Sequence, residues 1–379
     1  MTKDSTMTTL KSIGHHSIYK SPFAYCAHPH IAVLSDGEWV AVFNQVTRRP
    51  FILHPPSDPH YYNVLIRSKD EGRTWNSPRV VPGYDWHGVE CAGLTILNNG
   101  VLLLNQWRFK WYPLEMARKL AKTENILFLE DAELFMSGEL PGVIDIPPDP
   151  AEAVPWARGG GGTYVHRSTD GGRTWGGTSQ VATTPYSGGY GMRGGVQLSN
   201  AEILLPLCNI PEYEVIFLVR SSDSGLSWTA PIEAARTSGK KFEEPALLAF
   251  DDKHLLMLLR ENNSHHLHSV RSMDGGCTWS EPEQTDILGY PAHLLRLPDG
   301  RVLCTYGYRF PPFGIRAVIS TDQGRTWDIK NPLVLRDDFA NKDLGYPSTI
   351  MARDGGLFTI YYGQDADGVT AIWGTRFTL

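Results

Sequence analysis

The chain of 379 residues is long for one ordinary domain but within reach of a closed repeat architecture, and its 37 Gly, 26 Pro and 11 Trp describe a turn-rich, aromatic-rich protein suited to all-β folds. A formal net charge of −6 argues against a polyanion-binding surface, so no nucleic-acid partner is expected. No apolar run reaches the ~20 residues that span a bilayer, and Met1–Lys20 holds no signal-peptide stretch, so no membrane partner and a cytoplasmic location are expected.

Five cysteines, Cys26, Cys91, Cys208, Cys277 and Cys304, are odd in number and widely spaced, which suggests neither a disulfide framework nor a zinc site. No cofactor and no metal are expected.

Taken in chain order, six segments read as an apolar strand, a polar turn and a second apolar strand: Ile31–Phe43, Leu94–Leu104, Val196–Leu207, Ala246–Leu259, His293–Tyr306 and Ser348–Tyr362. After each of the first five comes the sequence S-x-D-x-G-x-x-W, at Ser68–Trp75, Ser168–Trp175, Ser221–Trp228, Ser272–Trp279 and Ser320–Trp327. Ser and Asp side chains suit bonds to nearby amides, Gly suits a positive φ, and Trp packs between sheets. The motif is therefore a structural turn. About four strands per unit and six units imply a six-bladed β-propeller in one domain over residues 1–379, closed by strands from near the two ends, with Ala371–Phe377 and Ser17–Tyr25 as candidates.

The interval from Trp75 to Trp175 is 100 residues, about twice the later ones. It holds helix-like periodicity over Leu114–Leu134 and a Pro-rich stretch over Val143–Pro155, which reads as a partly helical insertion at 107–157 within blade two; a seventh blade is the alternative. Trp107, Trp111 and Trp156 lie in or beside it.

The five turn motifs resemble the Asp-box repeats of the sialidase (neuraminidase) superfamily, over nearly the whole chain from Tyr25 to Leu379. The resemblance implies a tyrosine nucleophile, a carboxylate partner, an aspartic acid/base and three arginines around the sugar's carboxylate. Tyr346, in Gly345-Tyr346-Pro347, is similar to the nucleophile that opens the last blade; Glu244 before Pro245 matches the carboxylate, with Glu243 as understudy; Asp58, ten residues before Ser68, matches the acid/base. Arg260 closes the blade-four hairpin, and Arg309 or Arg316 takes the blade-five place. The pattern departs at blade one, where Ala27-His28-Pro29-His30 puts Ala27 where the family has its first arginine; His28, His30, Arg193 and Arg108 are the candidates to compensate.

A phenol with a pKa near 10 needs a base beside it, and arginine's planar fork matches a carboxylate. On this reading the chain is a sialidase-like exo-glycoside hydrolase that removes a terminal acidic sugar, with a carbohydrate as its partner. Bland readings stand beside it: Tyr290 shares the Gly-Tyr-Pro context of Tyr346, Glu243-Glu244 suits a solvated loop end, and Asp58 suits a turn. Histidines at 28, 30, 54, 60, 87 and 293 keep open a polysaccharide lyase or other hydrolase acting on uronic-acid-containing glycans, and a non-catalytic sugar-binding propeller is the third reading. Oligomeric state has no signature in the sequence.

Overall fold

The computed structural model describes residues 13–48, 55–82, 89–128 and 154–379. The chain opens with β1 (Ile13–Tyr19), which belongs to the last blade. Blade one is β2 (Ala24–Val33), β3 (Trp39–Thr47), β4 (Tyr62–Ser68) and β5 (Arg79–Val80); blade two is β6 (Val89–Ile96), β7 (Leu102–Pro113), β8 (Trp156–Ser168) and β9 (Gly176–Gln180). Blade three joins β10 (Gly188–Tyr190) and β11 (Val196–Gln197) to β12 (Ile203–Ile210), β13 (Val215–Ser221) and β14 (Ile232–Arg236). Blade four is β15 (Phe242–Ala249), β16 (Leu255–Glu261), β17 (His266–Ser272) and β18 (Glu283–Leu288). Blade five is β19 (Ala292–Arg296), β20 (Val302–Tyr308), β21 (Gly314–Ser320) and β22 (Leu333–Arg336). Blade six is β23 (Leu344–Met351), β24 (Leu357–Gln364) and β25 (Thr370–Phe377), completed by β1 against β25. The protein is thus a six-bladed all-β propeller, and the expected hairpins are the first two paired strands of each blade.

First strands of neighbouring blades touch one another, β2 with β6 and β23, and β19 with β15 and β23, so they ring the axis. Apolar side chains from facing blades fill the wedges between sheets. Ser17–Tyr19 of the proposed closing segment does pair in blade six, whereas Tyr25 opens blade one. Between β7 and β8 a helix, α1, covers Leu114–Leu120, shorter than the periodicity suggests over the described part, and Leu127 bridges to Arg158.

Each Asp-box joins a blade's third strand to its fourth. In blade one Ser68 Oγ donates to Asp70 Oδ1 at 2.8 Å and accepts from Gly72 N at 2.8 Å, while Asp70 receives the amide and hydroxyl of Thr74. Gly72 has φ +82°, and a Cβ there would lie 2.8 Å from the Trp39 ring, so the position requires glycine. Blade six has no box because its third and fourth strands, β25 and β1, come from opposite ends of the sequence.

The residue before each box serine is a second device. Arg167 donates to Ser224 O at 2.7 Å and Arg271 to Gln323 O at 3.0 Å, while Arg67 and Arg220 reach Gly171 O and Gly275 O. Every acceptor is the fourth box residue of the next blade, held at positive φ so that its carbonyl turns towards the arginine. Arg376 closes the ring onto Glu71 O at 3.5 Å. Blade five has Ile319 at this place, and its neighbour, blade six, is the blade without a box.

Candidate functional site

In blades one, four and six the strand nearest the axis carries a bulge before a proline: the register slips between Ala27 and His30, Glu243 and Ala246, and Gly345 and Ser348. The bulged residues His28, Glu244 and Tyr346 have φ of 53°, 52° and 52°, a left-handed conformation that costs a residue with a Cβ about 1 kcal/mol or more. Proline after each disfavours the ordinary helical alternative. The bulge takes the three side chains out of the strand's alternation, and they meet. Tyr346 Oη donates to Glu244 Oε1, and the His28 ring lies 4.2 Å from that of Tyr346, centroid to centroid.

Two guanidiniums flank this pair. Arg260 Nη1 is 3.1 Å from Glu244 Oε1, and its Cζ lies 4.3 Å from the centre of the Tyr290 ring; Arg309 lies 5.2 Å from the same ring and 5.7 Å from that of Tyr346, and donates from Nε to Leu344 O at 3.1 Å. Burial alone lowers the Arg260 pKa, but Glu244 and Glu243 outweigh it and hold the side chain charged. For Arg309 burial is likewise outweighed, by the phenolic oxygens of Tyr362 and Tyr346. Tyr362 packs 5.2 Å from His28 and gives its hydroxyl to Asp343 Oδ1 at 2.9 Å; Tyr25 donates to the same carboxylate.

Sequence reasoning missed Glu90. It stands in blade two where Glu243 stands in blade four, immediately before a bulge, with the register slipping between Glu90 and Ala92. Burial, then the Glu244 and Glu243 charges, push its carboxyl well above the usual glutamate range, and burial also raises Glu243. Aligning Val89-Glu90-Cys91-Ala92 with Phe242-Glu243-Glu244-Pro245 reveals the match; the missing proline hid it. Glu90 is cross-strand partner to Trp107, which lines a cleft of about 200 Å³ with Phe109, Arg158, Tyr213, Ile210 and Pro211. Trp111 and Trp156 are buried nearby in chain, not among its lining.

The structure therefore brings together Tyr346, Glu244, His28, Arg260 and Arg309. Glu243 is cross-strand partner to Arg260, and the remaining expected residues have these further partners. Asp58 is fully buried after the 3-10 turn Pro55–Ser57 and accepts from the amide and ring of His60 at 2.9 and 2.8 Å. Arg316 stacks on Tyr308 at 3.4 Å and Arg108 on Tyr164 at 4.7 Å. His30 takes the Leu94 amide on Nδ1, and Arg193 follows β10 beside it. His54 and His87 lie outside the described residues.

A propeller with Asp-box turns and a tyrosine–carboxylate pair under two arginines at its axis defines a sialidase-like BNR-repeat protein. Residues 152–360, more than half the sequence, match the BNR repeat-like domain model, and the chain belongs to that family. A sialidase of Clostridium perfringens is 28% identical over 134 residues, which cover 31% of this chain and 35% of that protein, so the match spans about a third of the relative. A Dyadobacter fermentans structure described as of unknown function superposes with a TM-score of 0.81 at 26% identity, covering 98% of this chain and 99% of that one. The NanB sialidase of Streptococcus pneumoniae gives 0.66 at 13% identity, covering 94% and 70% of the two chains. The intramolecular trans-sialidase from Ruminococcus gnavus, solved with oseltamivir carboxylate, gives 0.65 at 16%, covering 94% of each. At those identities the last two share the fold.

Proposed function

We propose that the protein is a retaining exo-glycoside hydrolase that removes a terminal acidic sugar, sialic acid being the one the family likeness suggests. The observation that carries this reading is the hydrogen bond from the Tyr346 hydroxyl to Glu244, with the Arg260 and Arg309 guanidiniums beside it. Glu244 takes the phenolic proton as Tyr346 Oη attacks the anomeric carbon; the leaving oxygen takes a proton from Asp58. Water, giving its proton to the Asp58 carboxylate, then attacks the anomeric carbon and releases the sugar with retention as Glu244 returns its proton to Tyr346 Oη, the tyrosine route being the recognised exception to a two-carboxylate mechanism. Arg260 and Arg309 hold the sugar's carboxylate in a bidentate fork.

The test is hydrolysis of a fluorogenic sialic acid glycoside beside Tyr346→Phe and Asp58→Ala, with NMR of the first-formed anomer. Loss in both variants and initial retention support the reading; an initially inverted product, or full activity in Tyr346→Phe, defeats it. A second reading is favoured by His28 packed on Tyr346 at 4.2 Å, a pair able to take the C5 proton of a uronic acid and give a proton to the oxygen that departs from C4, leaving a C4–C5 double bond. An ultraviolet-absorbing unsaturated product from uronic-acid oligosaccharides would establish it instead.

A further inference from the structure

The first strands that ring the axis carry a second polar cluster that the proposed hydrolysis leaves unused. His30 on β2 and His293 on β19 face each other with ring centroids 6.0 Å apart. Each spends Nδ1 on a backbone amide of a neighbouring blade: Leu94 N donates to His30 at 2.9 Å and Thr349 N to His293 at 3.3 Å. An imidazole that accepts on Nδ1 must, when neutral, carry its proton on Nε2. Both rings are neutral near pH 7, since burial and then Arg193 lower their pKa values, that of His30 to about 3. Each ring therefore presents an Nε2–H donor for which no described residue is the acceptor.

Arg193 adds positive potential at the same place. Its backbone is wedged against blade two, where a Cβ on Gly93 would lie 2.3 Å from Arg193 C, and Asn105 Nδ2 donates to its carbonyl at 3.2 Å. No carboxylate figures among the groups that shift either histidine. Two N–H donors and an arginine's field, with no carboxylate acting on either ring, is the chemistry that binds a small anion.

We propose that His30 Nε2–H, His293 Nε2–H and Arg193 form an axial site for a small monoanion of the chloride class, distinct from the Tyr346 cluster. The donors suit chloride or bromide, and a carboxylate offers the same chemistry. The site also ties blades one, two, three, five and six together at the axis, so occupancy stabilises the closed ring.

The experiment follows the melting temperature of the whole protein in chloride, bromide and sulfate at constant ionic strength, beside His293→Leu. The expected result is a saturable rise of roughly 2–3 °C at about ten times Kd, with chloride or bromide but not sulfate, and absent in the variant. Wild-type crystals soaked in bromide should show an anomalous peak between the two rings, a readout that does not depend on the variant folding. No peak and equal shifts for all three salts would overturn the proposal. A peak erased by N-acetylneuraminic acid would overturn its independence and assign the donors to the sugar's carboxylate.

Discussion

Tyr346, Glu244 and His28 owe their meeting to a local rule, a residue at positive φ followed by proline at the inner edge of a blade. Glu244→Gln keeps the shape and removes the base of the proposed mechanism, which predicts that kcat on a sialoside falls by about 10²–10⁴-fold with little change in KM; a change confined to KM would place Glu244 in binding alone. The buried histidines set the acid limb of stability. His30 has its pKa lowered from 6.5 to about 3, so its contribution is complete above about pH 6.5 and is lost as pH falls towards 3, because the unfolded chain takes the proton first. Melting temperatures of the protein and of His30→Asn, which keeps an acceptor for Leu94 N, should diverge in that window, the variant declining less. Tyr346, Glu244, Asp58, Arg260 and Arg309 were nameable from sequence by likeness, but Glu90 and the pairing of His30 with His293 were not, since these come from groups that face one another across different blades.

Each box is a small hydrogen-bonded unit, and each preceding arginine ties it to the next. Thr74 holds the Asp70 carboxyl down to about 2, so this bonding is complete above about pH 4 and is lost as pH falls through 2, overlapping the histidine window only at its acid end. Arg220 pairs with Glu202 at 2.6 Å and reaches Gly275 O across the blade boundary, and only 11% of its side chain is exposed. Arg220→Met should cost about 1–3 kcal/mol in denaturant titrations, because two charge-assisted bonds lose their donor. Ile319→Arg should destabilise as well, since blade six offers no box carbonyl to receive the new guanidinium. Box and hairpin were both legible as residue patterns of fixed spacing. The arginine ring was not singled out, because its acceptors are backbone carbonyls, which leave no mark in side-chain identity.

At the scale of the whole molecule, closure rests on β1 completing blade six. Deleting residues 1–20 strips β25 of its partner along Ile372–Phe377 and leaves an open edge in the blade that carries Tyr346. A large fall in melting temperature with concentration-dependent aggregation is expected; unchanged melting would mean that the ring closes without β1. By itself the sequence determined the number and order of the blades and the turns that end them, because these are local patterns repeated along the chain; Tyr346 and Glu244 it offered as candidates, by likeness. Tertiary structure alone decided which of the candidate charges share the site. Arg260 and Arg309 reach it, whereas Arg316 folds onto Tyr308 and Arg193 joins the axial histidines. Strand position gives a residue's blade, but bulges, rotamers and facing blades set where its charge ends up.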